Sequence, residues 1–314
     1  MPQKNKLRYQ HAAIVGAGVI GSSWTALFLA HGLRVTVYDP RPDVERMVRD
    51  TVRQAAPALK ELGLPTTGLT RRLKFESELE RAVEGAEVVQ ESGSEDLALK
   101  QELFSRIGRT APPNALLLSS SSGFRATDIS RDMSVPARML IGHPYNPPHL
   151  LPLVEVVPGE RTDPAAVADA VAFYNALGKK PLVLRKEVPG FVINRLQAAF
   201  FRECVHLVTE GVVTVEELDT VVTNAMGIRW AANGPFLSFH AGGGPGGLRH
   251  FLEHIGPAFE RLCKLLGNPT FDAATIDLLS QQANQAFGNI SYEELQRTRD
   301  RKQLAVMQAL RRVS

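Results

Sequence analysis

Cysteine is nearly absent. Cys204 and Cys263 are the only two in 314 residues. Neither has His or Cys neighbours at metal-ligand spacing, which excludes a zinc framework and a disulfide scaffold. No bound metal is expected, and a reducing, cytoplasmic setting is. Long apolar runs are also missing: none approaches the roughly 20 residues that cross a bilayer, so no membrane association is expected. Residues 1–10 are basic, but the apolar core of a signal peptide does not follow them. Charge of one sign is scarce too. The formal net charge is only +3, and the basic residues do not gather with aromatics, so nucleic acid is not the expected partner. What remains is ordinary for a globular chain, 44% hydrophobic and 22% charged, and long enough for two domains.

The most informative stretch is Ala-Ala-Ile-Val-Gly-Ala-Gly-Val-Ile-Gly, residues 12–21. Residues 12–15 suit a buried parallel strand, and residues 24–31 continue as a helix. Gly16, Gly18 and Gly21 stand between them at Gly-x-Gly-x-x-Gly spacing. Gly16 permits the tight turn, Gly18 keeps side chains away from a pyrophosphate, and Gly21 lets helix and strand pack closely. The backbone around Val19 and Ile20 then offers free N–H groups to phosphates. Residues 34–38 read as a second strand ending at Asp39, 18 residues past Gly21. A carboxylate there accepts hydrogen bonds from ribose hydroxyls and repels a 2′-phosphate, so the expected cofactor is NAD. Arg41 lies just beyond and could hold a phosphate; Asp39 occupies the discriminating position.

The first half alternates strand-like and helix-like segments. Strands are expected near 73–75, 87–90, 115–118, 139–142, 153–157 and 181–184. Helices are expected at 42–62, with Pro57 kinking or interrupting it, at 79–83, at 97–109 after an Asp96 N-cap, and at 164–177. This alternation predicts an α/β, doubly wound, Rossmann-type, mostly parallel sheet. Past Glu187-Val-Pro-Gly190 the pattern becomes helical: 191–210, 215–226 with a Thr214/Glu217 capping box, 248–266, 272–287 and 292–310. The expected division is a dinucleotide-binding domain over 1–188 and a second, all-helical domain over 189–314. The glycines of 242–247 read as a flexible loop.

Gly142-His-Pro-Tyr-Asn-Pro follows one expected strand, which places His143 at a strand end bordering the ligand crevice. An imidazole there can take a hydroxyl proton while hydride leaves the same carbon. Glu155 lies twelve residues on. If its strand folds back beside the first, its carboxylate can hold the second ring nitrogen. Spacing alone also fits a structural His and an exposed Glu.

With these motifs in hand, the chain resembles the 3-hydroxyacyl-CoA dehydrogenase family over nearly its whole length. Within that family it looks most like the branch acting on free hydroxy acids: the carnitine dehydrogenases and the L-gulonate 3-dehydrogenases with their lens relative lambda-crystallin. His143-Pro-Tyr-Asn146-Pro with Glu155 matches the family's catalytic His–Glu pair. The serine 21 residues before the His is Ser122, and Pro189-Gly-Phe-Val-Ile-Asn194-Arg matches the motif that opens the second domain. The resemblance implies that His143 is the acid/base, that Glu155 orients it, and that Ser122 and Asn194 hydrogen-bond the substrate oxygen. It places Asn146, Glu95, Lys100 and Ser120 on the cofactor side. It also implies a cleft between the domains as the site, and a homodimer.

Gly227-Ile-Arg229-Trp230 bears on the substrate. The free-acid branches resemble it in carrying an Arg at the third place, and a guanidinium grips a carboxylate bidentately, which a thioester does not require. Tyr145, Trp230, Phe236 and Phe239 could face the trimethylammonium of a carnitine-like substrate, since such cations prefer aromatic faces; they fit a core equally well. The expected function is NAD-dependent oxidation of the 3-hydroxyl of a small hydroxy acid. A 3-hydroxyacyl-CoA thioester substrate and a non-catalytic NAD-binding protein are the alternatives.

Overall fold

The computed structural model describes residues 7–313; part of the basic segment read at 1–10 therefore lies outside the described residues. The chain divides into two compact units, residues 1–194 and 195–314.

The first unit alternates strand and helix in chain order. It runs β1 (His11–Val15), α1 (Val19–Ala30), β2 (Arg34–Tyr38), α2 (Val44–Glu61), β3 (Leu73–Glu76), α3 (Leu79–Val83), β4 (Val88–Glu91) and α4 (Leu97–Thr110). It continues with β5 (Leu116–Ser119), α5 (Ala126–Ile129), β6 (Met139–Pro144), β7 (Leu153–Pro158), α6 (Pro164–Ala176) and β8 (Lys180–Val183). The eight strands form one sheet in the order β3-β2-β1-β4-β5-β6-β7-β8. Neighbours are parallel except β6 and β7, which run opposite ways.

Burial on both faces explains why these strands are continuously apolar. Ala12, Ile14, Val35 and Val37 face one core with α1, α2 and α6; Ala13, Val15 and Val89 face the other with α4 and α5. The sheet is thus wound on both sides. The strand order reverses between β1 and β4, and ligands of such sheets bind beyond the carboxyl ends of the strands there.

Helix α2 runs through Pro57 without a break. Pro57 is exposed while Val48, Val52, Ala55 and Leu59 are buried. The carbonyl that loses its N–H partner therefore faces solvent, and the packed face holds the helix together. Asp96 caps α4 as expected, accepting from the Leu99 N–H at 2.9 Å.

Ile193 opens α7 (Ile193–Thr209), whose first turn spans the division between the units. The second unit holds the rest of it and α8 (Val215–Asn224), α9 (Met226–Ala232), α10 (Pro235–Gly242), α11 (Gly247–Cys263), α12 (Ala273–Phe287) and α13 (Tyr292–Arg311). The Thr214/Glu217 capping box is present. Helices α9 and α10 form where the sequence pattern gives no helix, between the expected segments 215–226 and 248–266. The glycines of 242–247 are no loose loop: residues 244–246 form a 3-10 turn, and a side chain at Gly243 would lie 1.9 Å from the Gly247 carbonyl oxygen. Phe239, beyond α10's first turn, stacks on Phe251 at 4.7 Å. Among the described residues no helix is long and apolar enough to cross a membrane, and no cluster of three His, Cys, Asp or Glu could hold a metal.

Candidate active site

Parallel pairing aligns the carboxyl ends of β1, β4, β5 and β6 along one edge of the sheet, with Val15 beside Glu91, Glu91 beside Ser119 and Ser119 beside Ile141. Each chain segment that leaves this edge carries candidate residues.

At β1 the glycine turn fits a dinucleotide. Gly16 has φ +86°, and a Cβ on Gly21 would sit 2.0 Å from the Gly16 carbonyl oxygen, so both positions require glycine. Gly18, by contrast, faces open space. It is also the N-cap of α1 and supplies no side-chain cap, so the first N–H groups of the helix remain available to an anion. Val19 is exposed and Ile20 packs partly against the core.

Asp39 follows β2 immediately. Its Oδ2 accepts the Ala17 N–H at 2.8 Å, clasping the glycine turn. Arg41 occupies the rest of the carboxylate: Nε and its backbone N–H donate to Oδ1 at 2.8 and 3.0 Å, and Nη2 donates to Oδ2 at 2.6 Å. Burial alone would raise the Asp39 carboxyl. The guanidinium and the two backbone N–H groups outweigh it and hold the group below the usual carboxylate range.

The ends of β4 and β5 share a polar network. Lys100 is wholly buried and donates to Glu91 Oε1 at 2.7 Å, while Ser119 donates to Glu91 Oε2 at 2.5 Å. Glu95 sits nearer solvent; it accepts from the Ser121 hydroxyl at 3.0 Å and from the Ser122 N–H. Ser120 is tied to Gln90, Ser92 and Trp24, at 2.9, 2.9 and 3.3 Å. The sequence pattern did not single out Glu91. Its signal is a carboxylate closing the short strand Val88-Val89-Gln90-Glu91.

At β6 the strand folds back as β7, and His143 faces Glu155 directly in the antiparallel register. Nδ1 and Oε2 are 2.7 Å apart; His143 is 5% exposed and Glu155 fully buried. The other carboxylate oxygen accepts the N–H groups of Val192 and Ile193 at 2.9 and 3.0 Å, so Glu155 also secures the first turn of α7. That turn carries Asn194, whose amide donates to the Ser122 carbonyl at 2.9 Å. The Phe191 ring lies 5.5 Å from the imidazole. Among the described residues nothing hydrogen-bonds Nε2 of His143. The structure thus brings His143, Glu155, Ser122 and Asn194 into one connected group of the first unit.

Tyr145 and Asn146 follow His143 and are exposed. The segment after them is pinned. Ser23 bonds both Nδ1 and N–H of His149, and the Lys179 ammonium donates to the carbonyls of Pro148 and Leu151, with Trp24's ring 5.6 Å away. Burial pushes Lys179 down to about 7. Arg229 and Trp230 lie on α9 and Phe236 on α10 of the second unit, all exposed; Trp230 meets Phe200 edge-on at 6.2 Å.

Comparison with known proteins gives the family. Residues 11–188 match the NAD binding domain of 3-hydroxyacyl-CoA dehydrogenase, and residues 190–273 its C-terminal domain. The chain is similar to L-carnitine dehydrogenase of Streptomyces coelicolor, with 44% identity over 97% of this chain and 96% of the relative. It is also similar to L-carnitine dehydrogenase of Pseudomonas aeruginosa, with 44% identity over 95% of this chain and 93% of the relative. Among solved structures it resembles 5-formyl-3-hydroxy-2-methylpyridine 4-carboxylic acid 5-dehydrogenase, an NAD-dependent dismutase (TM-score 0.81, 30% identity, 96% of this chain and 99% of the other). A strand-glycine-helix turn shaped for a dinucleotide, a doubly wound sheet and both matched domains lead to one assignment: the chain belongs to the 3-hydroxyacyl-CoA dehydrogenase family and is an NAD-dependent oxidoreductase.

Proposed function

We propose that this enzyme oxidises the 3-hydroxyl of a small free hydroxy acid, carnitine-like or L-gulonate-like, to the 3-oxo acid. The observation that carries the reading is the buried His143–Glu155 pair, whose carboxylate also holds the turn that carries Asn194, itself bonded to the Ser122 carbonyl, while among the described residues nothing hydrogen-bonds Nε2 of the imidazole. NAD, which the glycine turn and Asp39 would hold, would supply the hydride acceptor for the carbinol carbon. Nε2 of His143 takes the hydroxyl proton in the same conversion and returns it in the reverse direction. Glu155 keeps the other ring proton on Nδ1 and stabilises the imidazolium. Ser122 and Asn194 hydrogen-bond the substrate oxygen. Asn146, Ser120, Glu95 and Lys100 shape the cofactor side, and Asp39 takes the adenosine ribose.

The relatives named L-carnitine dehydrogenase support a free acid over a thioester. We assign the substrate carboxylate to Arg229, and an ammonium group, where present, to Tyr145, Trp230 and Phe236. Following NADH absorbance with carnitine, L-gulonate, 3-hydroxybutyrate and 3-hydroxybutyryl-CoA tests the reading. Turnover of a free acid well above the CoA ester is expected; a preference for the ester overturns it. With the best acid, Arg229→Met raises KM by about 10- to 100-fold, the scale of one lost charge-assisted bidentate contact. An unchanged KM removes Arg229 from the site.

The second unit leaves Leu196, Phe201, Val212, Leu237, Leu265 and Phe271 exposed. Apolar surface of this kind supports a homodimer. Sedimentation equilibrium at micromolar concentration is expected to return twice the 34.4 kDa chain mass, and the monomer mass refutes it.

A further inference from the structure

Arg41 is the residue whose place in the cofactor site the family reading leaves unexplained. A carboxylate offers about four acceptor positions. In this chain all four at Asp39 are filled: Ala17 N–H, Arg41 N–H, Arg41 Nε and Arg41 Nη2. A ribose diol that donates to Asp39 must displace some of them. The two backbone donors cannot leave easily. Ala17 belongs to the glycine turn, and Pro40 and Pro42 restrict the chain on both sides of Arg41. The guanidinium is the movable partner, since the Arg41 side chain is 42% exposed while that of Asp39 is 6% exposed.

We propose that Arg41 is a cofactor-specificity residue: it competes with the adenosine ribose of NAD for Asp39, and once displaced it offers its charge to a 2′-phosphate. The inference rests on the assignment of Asp39 to the ribose. The pair works against the discrimination that a lone carboxylate would give. While paired, Arg41 cancels the negative charge that repels NADP. When displaced, it is a free guanidinium tethered two residues from the carboxylate, and a phosphate is a group that a guanidinium fork fits bidentately. Arg41 therefore narrows the preference for NAD without reversing it.

The test is calorimetric binding of NAD and NADP to the wild-type chain and to Arg41→Met, which keeps the apolar stem and removes the charge. NAD is expected to bind about threefold tighter to the variant, the scale of releasing one half-exposed ion pair. NADP is expected to bind about tenfold weaker, and the NADP-to-NAD ratio of Kd to rise accordingly. Weaker NAD binding would mean that Arg41 holds the cofactor rather than competing with it, and would overturn the inference. So would an unchanged ratio. Asp39→Asn separates the two readings. If it leaves NAD affinity untouched, the ribose assignment fails; if it weakens NAD while Arg41→Met leaves the ratio unchanged, only the role of Arg41 fails.

Discussion

His143→Gln is expected to lower kcat by about 10²- to 10⁴-fold, the usual contribution of a positioned acid/base, and to leave the NAD Kd within about twofold of wild type. Glutamine suits the test because it fills much of the same space. Its amide can still donate to Glu155, so the buried carboxylate keeps a partner and the antiparallel pair of β6 and β7 keeps its packing. What it lacks is a ring nitrogen able to take a proton. Nothing in the glycine turn or at Asp39 touches His143, so dinucleotide affinity has no reason to move. Steady-state kinetics and calorimetry on the same preparation decide the matter. A variant with the wild-type rate removes His143 from the chemistry, and a large loss of NAD affinity reassigns it to cofactor binding.

The second large effect is at Glu155, where two substitutions separate two roles. Glu155→Gln is nearly isosteric. Its carbonyl oxygen can keep accepting the N–H groups of Val192 and Ile193, so stability to urea should stay within about 1 kcal/mol. Its amide then faces the imidazole and donates to Nδ1. The ring is forced into the tautomer with the proton on Nε2, the nitrogen meant to receive one. Loss of the right tautomer in this way costs about 10⁴-fold in kcat in other enzymes that rely on a carboxylate-oriented His, and a similar drop is expected here. Glu155→Leu removes every acceptor. Three donors are left unsatisfied inside the fold, at about 1–3 kcal/mol each, so both activity and stability should collapse. Wild-type turnover by the Gln variant would show that the carboxylate does not set the tautomer.

Much of this layout was legible in the residues because each signal was local. The glycine spacing and the Asp96 cap act within a few residues of chain, and Asp39 is marked by its place directly after a strand. The His143–Glu155 contact was conditional on a reversal of strand direction, and the β6–β7 register supplies it. Other features depend on partners far apart in sequence. Glu91 meets Lys100 and Ser119 only because β4 and β5 are neighbours, and Lys179 reaches the carbonyls at 148 and 151 only because β8 lies beside β7. Pro57 read as a kink or interruption because periodicity does not say which carbonyl faces water. The glycines at 242–247 read as loose because composition does not show how tightly backbone can pack on backbone. Ser122 and Asn194 came only from the family resemblance; one is a member of a run of four serines and the other sits in the first turn of a helix.

The reversed strand has a consequence for how such an enzyme can change. Along β7, side chains alternate between faces, so sliding it by one residue would present a valine to the imidazole and send the carboxylate to the opposite side. In the proposed mechanism, proton handling is therefore written into main-chain pairing. Recognition of the acid is assigned to exposed side chains that such pairing does not constrain. Descendants of this scaffold can drift from one hydroxy acid to another at those surface positions while the chemical step is inherited unaltered.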